Sequence, residues 1–482
     1  MKVDNAFDRK LPAMLTKTDY LKFLSCPGEF WLKRNNPELF TDAKDIEALH
    51  RFEEGQVFEA LARRLSIFNP VDPDIRVKFQ RDFETEDLYA RSDAVITDAA
   101  TGEVSIYEIK AALNIKKKHY EDLAFQKYTA ELCGIKIAKT FLVTGNKEYI
   151  KNGEISADEM FVVTDVTNKV EEILPETASN IARAFEYLNQ TPQPNLTEYC
   201  GSKLDCTFIR HHFPDLPEYT IFDIAYVSRD NLTELINRGM IDIMRVPPDF
   251  QLPARQRRQV DVAQSGNSFI ERERIEAAIN LVYPICFLDY ETLGYAVPLF
   301  DGIKPFQQMA FQFSLHILND LDSEPEHYEF LSDGSSYPCR DLAEKLVDVL
   351  SGRVGTVVVW NEKFEKAINK ELGAAFPEFA DFFEELNEKI FDLMKIFSDH
   401  FYVHPRFKGS PSLKSVAPAL CPNLSYDELE ISKGTAASIH WHWLATQRFD
   451  EKRNSEIYAD LLKYCELDTR ATVEIFKFLK NL

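Results

Sequence analysis

Two sets of acidic residues in this chain have the spacing expected of divalent-cation ligands. The first is Asp93 followed by Glu108-Ile109-Lys110. The second is Asp289-Tyr290-Glu291, answered far downstream by Tyr464-Cys465-Glu466-Leu467-Asp468. Carboxylate oxygens suit hard cations such as Mg2+ or Mn2+. Such ions activate water and offset charge on a phosphate when a phosphodiester is hydrolysed. One set would serve one active site, so two sets predict two hydrolytic sites.

The elements around the first set decide whether its residues can meet. Tyr89 to Ile96 and Val104 to Ile109 are rich in β-branched and aromatic residues and read as strands. Asp98-Ala-Ala-Thr-Gly102 between them is a turn signal. A turn centred between Ala100 and Thr101 makes Asp93 and Glu108 direct cross-strand partners. A centre one residue later sets Asp93 against Lys110 instead. Either register puts all three side chains on one sheet face, with Glu108 a diagonal neighbour of Asp93 in the second; two carboxylates about 5 Å apart can hold a divalent cation. Upstream, Thr16 and Asp19 form a capping-box pattern for a short helix ending near Cys26-Pro27. Phe52 to Arg64 reads as a second helix, with Phe52, Val57, Phe58, Leu61 and Ala62 on one face.

Asp-x14-Glu-x-Lys on a hairpin resembles the PD-(D/E)XK nuclease superfamily. The next helix, Tyr120 to Cys133, carries Gln126 and Tyr128 much as the RecB-like branch carries its glutamine motif. The resemblance implies a restriction-endonuclease-like domain in which Asp93 and Glu108 bind the cation. Lys110 would assist the attacking water, with Gln126 in support. In that branch a histidine often precedes the hairpin in a Gly-x-x-x-His element; here Gly55-Gln-Val-Phe-Glu59 places Glu59 there as a candidate ligand. Related enzymes hold an iron–sulfur cluster with one cysteine before the nuclease core and three after it. Cys26, Cys200 and Cys206 fit that order, and His212 stands where a fourth cysteine would fall. A 4Fe-4S cluster with one histidine ligand, a zinc site and a metal-free staple all remain open.

The second set lies among alternating strands and helices. Strands are expected at Ile285 to Tyr290, Phe311 to Leu318, Tyr328 to Leu331 and Thr356 to Trp360. Helices are expected at Asp341 to Leu350, Lys363 to Leu372 and Ser455 to Leu479. Asp289 and Glu291 are two apart on a strand and share a face. Glu365 follows the Thr356 strand closely, and Tyr464 and Asp468 are four apart on one helix side. Such a set could hold two cations about 3.5–4 Å apart.

Asp-x-Glu, Asn361-x-x-Phe364-Glu365 and Tyr-x3-Asp, in that order, resemble the DnaQ-like (DEDD) 3′→5′ exonucleases of RNase H-like fold. Tyr464 points to their DEDDy branch and would orient the attacking water. Glu365 departs from the aspartate most members carry, while Asp392 and Ser412-Leu-Lys414 match accessory positions.

At 482 residues the chain is long enough for two or three domains. The motifs predict an α/β protein with a nuclease domain over 1–212, a helical connector over 213–280 and an exonuclease domain over 281–482. Apolar residues at 45% argue for globular domains rather than disorder. The charged MKVDNAFDRK start and the short apolar runs predict neither a secretory signal nor a membrane span. Eight scattered cysteines fit a reducing cytoplasm. A net charge of −22 disfavours tight non-specific duplex binding. Local basic groups exist at Lys116-Lys117-Lys118 and at Arg255, Arg257 and Arg258; the arginines could meet phosphates or simply be solvated.

The stretches LTKTDYLKFLSCPGEFWLK, FLDYETLGYAVPLFDGIKPFQQMAFQFSLHI and YCELDTRA resemble a bacterial domain-of-unknown-function family, number 2779. In it a RecB-like unit precedes an RNase H-like unit. The expected function is a Mg2+- or Mn2+-dependent nuclease trimming single-stranded or frayed DNA from the 3′ end. A nucleic-acid-binding adaptor with degenerate sites, or an RNA exonuclease, is the alternative.

Overall fold

The computed structural model describes residues 14–40, 46–188, 207–212, 214–424, 429, 431 and 433–482. The chain folds as two compact units, Met1–Asp215 with Tyr295–Phe306, and Leu216–Gly294 with Gln307–Leu482. Most of the segment read as a connector thus packs within the second unit. Twelve residues that follow Asp289 and Glu291 in sequence return to the first. Both units are mixed α/β. Among the described residues no helix is long and apolar enough to cross a membrane.

The first unit is built on a sheet of β1 (Leu15–Thr16), β2 (Ile75–Glu84), β3 (Leu88–Asp98), β4 (Val104–Ile109), β5 (Lys139–Gly145) and β6 (Phe161–Asp165). Its order is β1-β3-β4-β5-β6, with β2 also on β3. The β3–β4 hairpin pairs Ala94 with Tyr107 and Thr97 with Val104. Its turn therefore centres between Ala100 and Thr101, and the same register sets Asp93 against Glu108. Gly102 closes the turn at φ +73°, donating its N–H to Asp98 O at 2.8 Å. β4 continues through helix Lys117–Leu132 into parallel β5.

Strand alternation gives each sheet face its own core. Ala94, Ile96, Tyr107, Ile109 and Val143 pack with Phe58, Phe68, Phe161 and Ala296. On the opposite face Val95, Ile106 and Leu142 meet Leu123 and Ala124 of helix Lys117–Leu132. Asp93, Glu108 and Lys110 have the parity of this second face, so the helix lies over them. Thr16 caps helix Lys17–Ser25 with the expected Asp19 box, and Cys26 then caps helix Pro27–Asn35 through its sulfur. The helix expected over 52–64 runs over Ile46–Ala62. Phe58 and Ala62 are buried, but Phe52 and Val57 are 62% and 52% exposed. The expected apolar face was too wide, since Phe52 and Val57 lie well round the helix from Phe58.

In the second unit β7 (Phe269–Ile270) pairs with Tyr402–Val403, and a larger sheet is built from β8 (Ile285–Leu293), β9 (Met309–Leu318), β10 (Glu326–Leu331), β11 (Thr356–Val359) and β12 (Ile390–Asp392). The order of the larger sheet is β10-β9-β8-β11-β12. β8, β9 and β10 form an antiparallel meander; β11 and β12 run parallel to β8. The 30-residue helix Glu451–Lys480 packs on this sheet through Phe476 against Phe287, a T-shaped contact at 5.7 Å. Tyr290 faces the other way, and its hydroxyl donates to Asn369 Oδ1 at 2.8 Å in helix Glu362–Ala375.

Helix Ala254–Ser265 carries the three arginines, and each guanidinium has a protein partner. Arg255 meets Asp399 at 3.0 Å, and Arg257 bonds the carbonyls of Pro247 and Phe250. Arg258 bonds His400 O and Glu271 and covers the Phe269 ring at 3.9 Å. These contacts staple local structure.

Candidate metal centres

The face beneath helix Lys117–Leu132 gathers the first set. Gln126 Nε2 donates to Glu108 Oε2 and to Asp122 Oδ1, each at 2.7 Å. Ser92 Oγ donates to Gln126 Oε1 at 2.5 Å, fixing which end of the amide faces the carboxylates. Lys110 Nζ bridges Glu108 Oε1 and Asp122 Oδ2, both at 2.6 Å. Asp93 accepts the Ile109 N–H at 2.8 Å.

Lys17 and Asp122 complete this group, and sequence reasoning missed both. Lys17 Nζ lies 2.7 Å from Glu108 Oε1 and 3.3 Å from Asp122 Oδ1. Asp122 sits four residues before Gln126, a spacing that places both on one helix side and could have signalled it. Lys17 carried no comparable signal, because its partner is 91 residues away. Glu59 does not join the cluster: its Oε1 accepts from Arg63 at 2.5 Å and from Gln80 at 2.7 Å.

Electrostatics divides the two acids. Glu108 is 1% exposed, and burial works to raise its pKa, but Lys110 and Lys17 overcome this and hold it at about 2. Burial and the charge on Glu108 push Asp93 up to about 7. The Glu108–Asp122 pair is balanced by two ammonium groups, so Asp93 supplies what net negative charge remains.

The second set forms a different kind of centre. β8 is buried at every position except Asp289, which solvent reaches. Ligand atoms of Asp289, Glu291 and Asp468 all lie within 4.8 Å of one another. Burial and the charge on Asp468 push Asp289 up to about 8. Burial, Asp289 and Asp468 hold Glu291 well above the usual carboxylate range. Glu365 stands outside the 4.8 Å group, buried one turn into helix Glu362–Ala375. Burial and Asp289, with a contribution from Asp392, push it to about 9. Its Oε2 is buried without a hydrogen-bond partner among the described residues. Mutual repulsion, mutual proximity and an orphaned buried oxygen are what a divalent cation bound there would relieve. These residues fit such an ion; the lysine-balanced first set fits it less well.

Two further groups border the acids. Lys414 Nζ donates to the Tyr464 hydroxyl at 2.9 Å and lies 4.7 Å from the ring centre. Burial lowers the Lys414 pKa, while Asp468, Glu291 and Asp289 act to raise it. Burial and the same carboxylates drive the Tyr464 phenol far up, so it stays protonated and can donate. Cys465 Sγ, not anticipated, lies 3.7 Å from Asp289 Oδ2. Asp392 caps the start of the neighbouring turn, accepting from the Glu362 and Met394 N–H groups.

Cys26 serves as the N-cap of helix Pro27–Asn35, its sulfur accepting the Glu29 N–H. Cys200, Cys206 and the side chain of His212 lie outside the described residues.

The model of the family described as a domain of unknown function, DUF2779, matches residues 286–412. That span includes Asp289, Glu291, Glu365 and Asp392. An uncharacterized protein (MG366 homolog) of Mycoplasma pneumoniae is 27% identical over 216 residues, covering 40% of this chain and 32% of that protein. The uncharacterized protein MG366 of Mycoplasma genitalium is 24% identical over 216 residues, or 41% and 32%. The chain thus spans about a third of the length of these relatives.

Proposed function

We propose that the protein is a divalent-cation-dependent nuclease whose second unit trims single-stranded or frayed DNA from the 3′ end. The observation that carries this reading is the Asp289–Glu291–Asp468 group, whose ligand atoms converge within 4.8 Å at the most open position of β8. An antiparallel meander joined to two parallel strands, with the last helix supplying Tyr464 and Asp468, supports an RNase H-like, DEDDy-type assignment. In the first unit, a hairpin leading through a helix into a parallel strand supports a PD-(D/E)XK-type assignment.

Asp289, Glu291 and Asp468 would hold the Mg2+ or Mn2+, with Glu365 adding a further carboxylate. Bound there, such ions supply water activation and charge neutralisation at the scissile phosphate. The chain's own groups do the positioning. The protonated Tyr464 hydroxyl, hydrogen-bonded to Asp468 and accepting from Lys414, would orient the attacking water, and Lys414 offsets part of the carboxylate charge. Asp468 shares the same helix side as Tyr464, so helix placement sets ligand and water-positioning group together.

For the first unit a second reading has its own support. Lys17 and Lys110 already neutralise Glu108 and Asp122, which favours a nucleic-acid-binding fold whose cleavage site is closed by charge.

The test is degradation of 3′- and 5′-labelled single-stranded DNA and RNA with Mn2+, using wild type, Glu108→Ala and Asp289→Ala. Shortening from the 3′ end that disappears in Asp289→Ala alone is the expected result. Absence of cleavage of either polymer, with binding retained, would reject the nuclease in favour of the adaptor.

A further inference from the structure

β9 is buried along its whole length, yet one of its two faces is polar. Phe311, Phe313, Leu315 and Ile317 alternate with Gln312, Ser314 and His316, and the polar row lies under helix Glu451–Lys480. Burying such groups is costly unless each is satisfied, and an apolar row would pack there at no such cost. Gln312 Nε2 donates to Leu461 O at 2.8 Å, while its Oε1 is buried without a hydrogen-bond partner among the described residues. Ser314 and His316 belong to a different arrangement.

Ser314 Oγ meets Thr469 Oγ1 at 2.7 Å and His327 Nε2 at 3.0 Å. His316 Nδ1 meets the same Thr469 hydroxyl at 2.9 Å. His327 is the cross-strand partner of His316 on the edge strand β10. One nitrogen of each imidazole is therefore oriented by a hydroxyl. The other nitrogens, His316 Nε2 and His327 Nδ1, make no hydrogen bond among the described residues. Glu466 Oε1 lies 4.0 Å from His327 Nδ1. Ligand atoms of His316, His327 and Glu466 all fall within 4.8 Å of one another.

We propose that His316, His327 and Glu466 form a Zn2+ site at the sheet edge, separate from the carboxylate centre. Two imidazoles and a carboxylate are a borderline-soft donor set that suits Zn2+ better than Mg2+ or Mn2+. Hydroxyls on the non-ligating nitrogens are the outer contacts that fix tautomer and ring orientation in such sites. Burial, with His327 and Arg470 adding to it, keeps His316 neutral, and a neutral ring offers its lone pair. The rings stack at 4.5 Å and 24°, so a shared ion requires one of them to turn. His327, with a side chain 24% exposed on the edge strand, is the ring with room to turn, and turning it gives up its 3.0 Å contact with Ser314. The ion would tie β10 to the last helix through Glu466, which stands two residues from both Tyr464 and Asp468. This site stands on its own residues and does not depend on the nuclease reading.

The test uses the full-length, metal-stripped protein titrated with Zn2+ against a chromophoric chelator, with excess Mg2+ present throughout. Wild type, His327→Ala, Glu466→Gln and Asp289→Asn are compared, with circular dichroism to confirm folding. Wild type and Asp289→Asn should share one tight equivalent that weakens about tenfold or more in His327→Ala and Glu466→Gln. Substituting Co2+ should give a visible absorption band that is lost in His327→Ala. Equal Zn2+ affinity in wild type, His327→Ala and Glu466→Gln, including no tight binding in any, would overturn the proposal. So would an equivalent lost in Asp289→Asn but kept in His327→Ala.

Discussion

Lys17 Nζ donates to Glu108 Oε1 at 2.7 Å and thereby places a second ammonium group on a carboxylate that Lys110 already holds. A divalent cation entering this site must compete with Lys17 for the same oxygen. Lys17→Met should therefore raise Mn2+ affinity at the Glu108 site by about tenfold, worth ~1.4 kcal/mol. It should also cost about 2 kcal/mol of stability, the usual loss for a hydrogen bond to a charged group. Titration in an Asp289→Asn background isolates the site. Unchanged or weaker Mn2+ binding in Lys17→Met would show that the lysine does not occupy the cation's place.

The same contact sets an acid limit on the first unit. Glu108 titrates at about 2 in the folded chain, below its usual 4.5. A depressed pKa means that the stabilisation is complete above about 4.5 and is lost as pH falls toward 2. In Lys17→Met the depression shrinks, so acid unfolding of this unit should begin at higher pH. Fluorescence-monitored titration of the two proteins between pH 6 and about 2 checks the shift.

At the second centre the sign is reversed. Asp289 and Glu365 are raised to about 8 and 9, so the stabilisation they bring is present at low pH and lost as pH rises through those values. With chelator present, wild type should lose thermal stability between pH 6 and 9, and Mg2+ should restore it. Asp289→Asn removes one of the repelling charges and should melt about 2–4 °C above wild type at pH 9, the gain shrinking as pH falls and vanishing below about 4. Equal melting temperatures at pH 9 would mean that the carboxylates do not repel one another as this arrangement requires.

How far the sequence revealed these centres depended on the range of each contact. Asp289 with Glu291, and Tyr464 with Asp468, are legible because strand and helix periods fix which neighbours share a face. The β3–β4 register was narrowed to two choices by the Asp98–Gly102 turn, and the structure takes the one centred after Ala100. β2 was missed because Ile75–Glu84 mixes charged and apolar residues, as suits an outer strand paired to β3 alone. Lys17, Cys465 and the Ser314–Thr469–His316 cluster could not be read, since each depends on elements brought together over long sequence distances. The Tyr295–Phe306 segment was read with the second unit because sequence order gives no hint that a chain returns to an earlier core.

Tyr464 and Lys414 should be separable by kinetics. Tyr464→Phe removes the hydroxyl that positions water while leaving the carboxylates in place, so kcat should fall about a hundredfold with Mn2+ affinity nearly unchanged. Lys414→Met leaves the hydroxyl but frees its orientation and removes a positive charge beside three acids. Its kcat should fall less, about tenfold, while Mn2+ binds more tightly because one competing cation is gone. Loss of Mn2+ binding in Tyr464→Phe would instead mark the tyrosine as a structural support for the ligands.

Gly434 offers a way to test access to the acids without touching them. It begins helix Gly434–Ala445, and a Cβ there would sit 3.6 Å from Glu291 Oε2 and 3.8 Å from the Tyr464 hydroxyl. Both are ordinary contact distances, so the fold itself does not demand a glycine. Gly434→Ala should therefore fold and bind Mn2+ as wild type does. Gly434→Leu projects three more carbons toward the same acids and should raise the KM for a single-stranded DNA end by about tenfold or more, a change of ~1.4 kcal/mol. Stability and Mn2+ stoichiometry measured beside KM separate the outcomes. A Leu variant with unchanged KM would place the substrate path on another side of the Asp289–Asp468 group.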